Sequence, residues 1–242
     1  MELKDISPDQ VVFWQWGPIS INATLVFTWA VMLLLLLGSW WITRRMSTGP
    51  HLSRWQNLVE ITVQGMRRQI RDISRSTEAD RFLPFAGTLF LFIAVSNLLA
   101  VVPGFTPPTA SLSTAAALAI CVFIAVPLYG ILHKGLGGYL KQYIRPTVFM
   151  LPFHIMGELS RTLALAVRLF GNIMSGTKIV AILLAIAPFL FPVLMHALGL
   201  LTGMIQAYIF AVLAMVYIAS ATRVQREKAD KQEDRKGEHT HG

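Results

Sequence analysis

Apolar residues in this chain come in long uninterrupted blocks rather than in alternation, and the block lengths match a bilayer. The first block, 23–43, holds about 20 residues, which at about 1.5 Å per helical residue covers a hydrocarbon core of about 30 Å. Trp40 and Trp41 close it as interfacial anchors ahead of Arg44 and Arg45. A second helix is predicted over 82–102, stopped by a Pro103-Gly-Phe-Thr-Pro-Pro108 turn that cannot continue a helix. A third is predicted over 113–133, ahead of Lys134, Lys141 and Arg145. From Pro146 to Thr222 the apolar character is broken only by Glu158, Arg161, Arg168 and Lys178 among the charged residues, with His154 and His196 also titratable. Pro188 and Pro192 divide this stretch into helices over 147–187 and 193–222. A helix of about 40 residues is about 60 Å long, so the first of these either tilts strongly or begins outside the hydrocarbon.

Segment 51–81 has a different pattern. Leu58, Ile61, Val63, Met66, Ile70 and Ile73 recur at helical spacing among Arg67, Arg68, Arg71 and Arg75. That pattern predicts an amphipathic helix on the inner membrane surface, with a small soluble helix as the alternative. No internal repeat is apparent, which gives no support to an inverted-repeat transporter. The expected fold is one all-α integral membrane domain over 1–242: an external N-terminus (1–22), about five transmembrane helices, one amphipathic surface helix, and a frayed polar tail (223–242).

Composition agrees, since 54% apolar and 14% charged residues depart from a soluble average of about 25% charged. The net charge of +8 does not point to nucleic acid, because the cations cluster at the ends of apolar blocks, in 44–81 and 223–236. The positive-inside rule makes those segments cytoplasmic, and the uncharged loop 103–112 fits the opposite side. Glu2, Asp5 and Asp9 precede the first block while its basic pair follows, the reverse of a signal peptide's charge order. The block therefore reads as a retained span with the N-terminus external and the C-terminus cytoplasmic. The single cysteine, Cys121, permits no intrachain disulfide. No nucleotide-binding loop, metal cluster or nucleophile–base arrangement is apparent, so no cofactor or metal and no enzymatic activity of the chain by itself are expected.

Arg168 then demands a reason. A guanidinium stays charged at physiological pH, and at mid-bilayer it costs about 2.5–3.5 kcal/mol on insertion scales or roughly 10–17 in simulations. At 100° per residue, His154, Arg161, Asn172 and Ser175 fall within about 40° of it, and Glu158 within about 80°. Gly157, Ala164 and Gly171 repeat every seven residues beside them, a row that lets another helix approach closely. On the last helix, Gln206 is the sole amide and Tyr217 a further polar group, with Gly199 and Gly203 before Gln206. Gln206 is either interhelical glue or the neighbour that holds Arg168 in place. The plainer readings are that Arg168 snorkels from a span at 179–198, and that Glu158 and Arg161 form a structural i, i+3 ion pair. Lys178 is placed to snorkel.

Arg168-Leu-Phe-Gly-Asn172, with Gly157-Glu-Leu-Ser160 before it, Gly176 after it, Gln206-Ala-Tyr-Ile-Phe210 one helix later and Ser96-Asn-Leu-Leu99 upstream, resembles the a subunit of the F-type rotary ATP synthase. The resemblance covers most of the chain. It implies a bacterial inner-membrane protein with its last two helices tilted against a rotating ring of c subunits. It further implies a b-subunit peripheral stalk and other F-type subunits as partners. Arg168 becomes the stator arginine and Gln206 its neighbour, between two aqueous half-channels. Departures from the family pattern concern the ion. Many members have an acidic residue three positions after Asn97, where Ala100 stands, and another in the loop where the Thr109–Ser113 stretch offers the hydroxyls of Ser111 and Ser113. Thr177 stands nine residues after the arginine, where glutamate or histidine is frequent, and Gly199 seven before the glutamine. Neutral oxygens in place of carboxylates suit water or a dehydrating Na⁺, which raises the sodium-coupled N-type branch beside proton coupling. Two other classes remain open at this point: a stand-alone channel or secondary transporter with Arg168 as a gating or anion-binding charge, and an assembly scaffold.

Overall fold

Each long apolar block is a helix in the computed structural model, which describes residues 12–16, 19–44, 60–61, 64–65, 67–68, 79–102, 104–144, 150–186 and 191–223. Helix α1 is Ala23–Arg44, α2 Ala79–Leu99, α3 Leu112–Ile144, α4 Met150–Ile186 and α5 Phe191–Arg223. All five are long and apolar enough to cross a membrane. The architecture is thus an α-helical multi-pass membrane body, with one addition. Residues 12–22, expected only as an external N-terminus, carry a two-stranded antiparallel ribbon, β1 (Val12–Trp16) and β2 (Ile19–Asn22). Its Val-Phe-Trp-Gln-Trp and Ile-Ser-Ile runs are β-branched and aromatic, joined by Gly17-Pro18, the composition of a hairpin.

Helices α2, α3, α4 and α5 pack together, while α1 lies at the edge with Ala23, Thr24 and Val31 buried. The seam of α5 is built from small residues, Gly203, Ala207, Ala211 and Ala214, with Phe210 and Ile218 filling between them. Small side chains let helix backbones approach in a medium where apolar packing cannot rely on expelling water. Across from them lie Ile93 of α2, Ala115, Ala119 and Val122 of α3, and Leu165 and Leu169 of α4 in one continuous core.

Helix ends follow the local chemistry. Pro103 disfavours helical backbone at Val102, and α2 tightens into i→i+3 bonds from Ala100, Val101 and Val102 to Asn97, Leu98 and Leu99. It therefore ends at Leu99 rather than at 102, and it starts at Ala79 rather than at 82. Helix α3 runs past 133 through a break at Gly135, whose φ of 71° lies in the left-handed region that a residue without Cβ adopts freely. A single 3-10 turn, Pro108–Ala110, sits buried between α2 and α3, and Phe27 of α1 meets Phe105 edge-on at 4.8 Å between ring centres. Most of the amphipathic segment 51–81 lies outside the described residues. Within it Glu60, Ile61, Gln64, Gly65, Arg67 and Arg68 are helical and exposed, and the Gln64 amide donates to Glu60 Oε1 at 3.1 Å. Residues 1–11 and the tail beyond Arg223 also lie outside the described residues.

Candidate functional site

Helix α4 buries one narrow stripe and leaves the rest of its surface bare. Leu165, Ala166, Leu169 and Ile173 face α3 and α5, whereas only 11% of its most apolar window is buried within the chain, against 44% for α2. Arg168 sits on the bare side, exposed, with no hydrogen bond or ion pair among the described residues. His154, Arg161 and Ser175 share that exposure, and a Cβ added to Gly157 or Gly171 would meet nothing within 4 Å. The small-residue row beside the arginine is therefore uncovered by this chain. Ser175 turns its hydroxyl back onto the carbonyls of Gly171 (2.6 Å) and Asn172 (3.1 Å).

Asn172, one turn beyond Arg168 and about 40° further round the helix, is half-buried and binds α5. Its amide donates to the Thr202 carbonyl at 3.3 Å. The buried Asn97 amide of α2 donates to the next carbonyl, Gly203, at 2.9 Å, and Asn97 Oδ1 accepts from the Thr109 hydroxyl at 3.5 Å. Two asparagines from two helices thus hold consecutive carbonyls of the turn that leads to Gln206. The fit requires glycine at 203, because a Cβ there would stand 2.9 Å from Asn97 Cγ. Gln206 is 5% exposed and its Nε2 has no hydrogen-bond partner. No hydrogen bond joins Gln206 to Arg168 among the described residues, so the amide does not hold the arginine in place within this chain.

These junctions form one wall of a cavity of about 220 Å³ between α2, the 105–107 segment, α4 and α5. Ala100, Thr177 and Gly199, three positions singled out in sequence for lacking a titratable group, all line it. Asn97 and Asn172 line it too, so it ends one helical turn from Arg168. Its two α-helical threonines have their hydroxyl hydrogens committed. Thr177 donates to the carbonyls of Ile173 (3.1 Å) and Met174 (2.9 Å), and Thr202 to those of Leu198 (3.0 Å) and Gly199 (3.1 Å). Each hydroxyl oxygen is left with lone pairs only to offer. Ser111 and Ser113 lie apart from the cavity lining, their hydroxyls 2.6 Å from each other.

Toward the other end of α4, Arg161 pairs with Glu158 at 3.3 Å and its guanidinium lies 5.5 Å from the Tyr217 ring centre of α5. That distance is within the range of a cation–π contact, and it joins Tyr217 to the Glu158–Arg161 pair. Among the described residues no group of three or more His, Cys, Asp or Glu is placed to hold a metal ion.

Sequence reasoning missed two participants. Thr202 and His196 line the cavity from α5, whereas His196 drew notice only as titratable. A usable signal existed in the i, i+3, i+7 spacing of His196, Gly199 and Gly203, which sets them along the side of α5 that carries Gln206.

Comparison with known proteins finds relatives over most of the chain. Residues 25–219 match the family model described as ATP synthase A chain. ATP synthase subunit a 2 of Acaryochloris marina is 62% identical over 221 residues, 91% of this chain and 94% of that protein. ATP synthase subunit a of Albidiferax ferrireducens is 60% identical over 93% of this chain and 97% of its own length. ATP synthase subunit a 1 of Chlorobaculum parvum is 62% identical over 93% of this chain and 98% of its own.

Proposed function

Because the chain belongs to the ATP synthase A chain family, and so is a non-catalytic membrane subunit of the synthase, we propose that it translocates the coupling ion, with Arg168 as the stator charge. The observation that carries this reading is the placement of Arg168. It stands bare on α4, beside an uncovered row of small residues, one turn from the end of a cavity. A cation left unpaired on an apolar helix needs an anion from elsewhere, and a ring of c subunits, each carrying one carboxylate past this face, supplies it.

The cavity is then one aqueous half-channel, on the side of the 103–112 loop. The second approaches Arg168 along His154, Glu158, Arg161 and Tyr217. A ring carboxylate arriving from one half-channel loses its ion as it nears the guanidinium, because a fixed positive charge favours the ionised form and repels a bound cation. Having passed, the carboxylate takes an ion from the other half-channel. The same charge between the two paths blocks a direct cation leak. Asn97 and Asn172 hold the turn that leads to Gln206, whose buried Nε2 keeps an unused hydrogen within this chain. The b-subunit stalk keeps this chain from turning with the ring. The N-terminus and the 103–112 loop face outward and the tail lies in the cytoplasm of a bacterial cell, according to the arginine distribution.

Replacing Arg168 with alanine in the assembled complex tests the proposal. Ion-coupled ATP synthesis and hydrolysis-driven pumping are both expected to be lost, and unchanged coupling would overturn the reading. Ion flux through the purified chain alone would instead favour a stand-alone channel.

A second reading concerns the ion. Ala100, Thr177 and Gly199 line the cavity without a carboxylate, and Thr177 and Thr202 offer hydroxyl oxygens without free hydrogens. Hard cations take oxygen ligands, so this lining supports Na⁺ as the substrate ion. Sodium is then expected to protect the assembled enzyme from carboxylate modification at high pH; absence of protection would return the ion to H⁺.

A further inference from the structure

We infer that Asn97 is a positioning residue for ion transfer: it fixes the Gln206 turn of α5 relative to the helix that carries Arg168, and Thr109 steadies it from the outer loop. The inference rests on the stator reading proposed above, and it holds for either coupling ion.

Helix geometry identifies what the two asparagines grip. Each α-helical carbonyl accepts the N–H four residues on, so the Thr202 and Gly203 carbonyls of α5 hold the backbone N–H groups of Gln206 and Ala207. Asn172 brings a second donor to the first of these carbonyls from α4, at 3.3 Å, and Asn97 brings one to the second from α2, at 2.9 Å. Arg168 and Asn172 stand one turn apart on α4, so the Asn172 bond ties the backbone of Gln206 to the arginine's own helix. A turn held from one helix alone can still roll about that contact. Asn97 removes this freedom by holding the adjacent carbonyl from a second helix.

Asn97 is built to hold rather than to conduct. It lines the cavity, yet it is buried and both ends of its amide are engaged: the nitrogen donates to the Gly203 carbonyl, and Oδ1 accepts from the Thr109 hydroxyl at 3.5 Å. Thr109 is itself fully buried, in the 3-10 turn Pro108–Ala110, where Pro107 and Pro108 restrict the backbone. A run of buried contacts therefore leads from a stiff turn in the outer loop, through Asn97, to the α5 backbone. The missing Cβ at Gly203 lets the amide come this close. The hydroxyl oxygens of Thr177 and Thr202, which keep lone pairs to offer, remain the cavity's groups for an ion. A misplacement of about 1 Å at a transfer site costs up to about a hundredfold in rate, so a loosened brace is read in rate and not in ion affinity.

The assembled synthase in liposomes tests this, with ATP synthesis followed as the coupling-ion concentration is varied and rates expressed per assembled complex. Asn97→Ala removes the brace and Gly203→Ala pushes the amide off its carbonyl. Each is expected to lower the maximal rate by about tenfold while the ion concentration at half-maximal rate stays where it was. The double variant is expected to be no slower than the slower single one, because both act on one contact. Thr109→Val, which keeps the shape and loses the hydroxyl, is expected to give a smaller loss, and Thr109→Ser to restore the rate. Maximal rates per complex that stay unchanged would reduce the junction to packing and overturn the inference. A raised half-maximal ion concentration with the maximal rate kept would overturn it too, by making Asn97 an ion ligand, as would losses that multiply in the double variant. If Asn97→Ala does not assemble, Thr109→Val against Thr109→Ser decides: equal rates in both would overturn the inference. None of these outcomes touches the stator reading, which stands or falls on Arg168→Ala.

Discussion

At Gly203 one hydrogen atom separates a packed junction from a clash. The Asn97 side chain is buried and anchored to the Gly203 carbonyl, and a Cβ would fall 2.9 Å from its Cγ. Gly203→Ala gains about 1 kcal/mol of helix propensity but overpacks the site at a cost of about 1–3 kcal/mol. The clash is expected to win because Asn97 cannot swing aside without leaving the carbonyl. Thermal denaturation of the purified chain in detergent checks this: Gly203→Ala lowers the midpoint, and adding Asn97→Ala costs less than the two single losses summed. Arg168 was legible in sequence because a charge in an apolar block is costly wherever it finally points. Its lack of any bond to Gln206 was not legible, since two residues on different helices meet or miss according to helix rotation and tilt.

Among the elements, α3 and α4 show where pattern suffices and where it does not. The apolar block of α3 was visible, but its continuation beyond 133 depends on Gly135 taking a φ of 71°, a backbone choice that composition does not announce. Gly135→Ala is expected to destabilise the chain by about 1–2 kcal/mol, the cost of left-handed backbone for a residue with Cβ, read as a lower unfolding midpoint and, if the cost is local, little loss of coupling. Helix α4 was expected to keep its polar groups on one face. The structure divides them: Arg168, Arg161, His154 and Ser175 are exposed, while Asn172 turns to α5. A 40° offset decides that division only once the neighbouring helix is in place. The ribbon at 12–22 went unread because two short strands outside the bilayer were overshadowed by the apolar blocks that follow.

For the whole molecule, the bare face of α4 makes a prediction about assembly. In a Cys121→Ser background, cysteines introduced at Ala164 or Gly171 are expected to cross-link to the c ring, and one at the buried Leu165 is not. Equal cross-linking at all three would place the ring elsewhere. The sequence by itself determined that this chain has about five apolar blocks long enough to cross a membrane, that its cations gather near the ends of those blocks, and that Arg168 is its distinctive charge. Those properties follow from the transfer cost of each residue and the periodicity of a helix, which are local. Only the tertiary structure decided that Ala100, Thr177, Gly199 and His196 share one cavity, that Asn97 and Asn172 grip consecutive carbonyls of α5, and that the arginine's face is left open. Residues some 20 to 100 positions apart come together through helix rotation and tilt, which small packing differences at Gly203, Ala207 and Ala211 set and no single segment encodes.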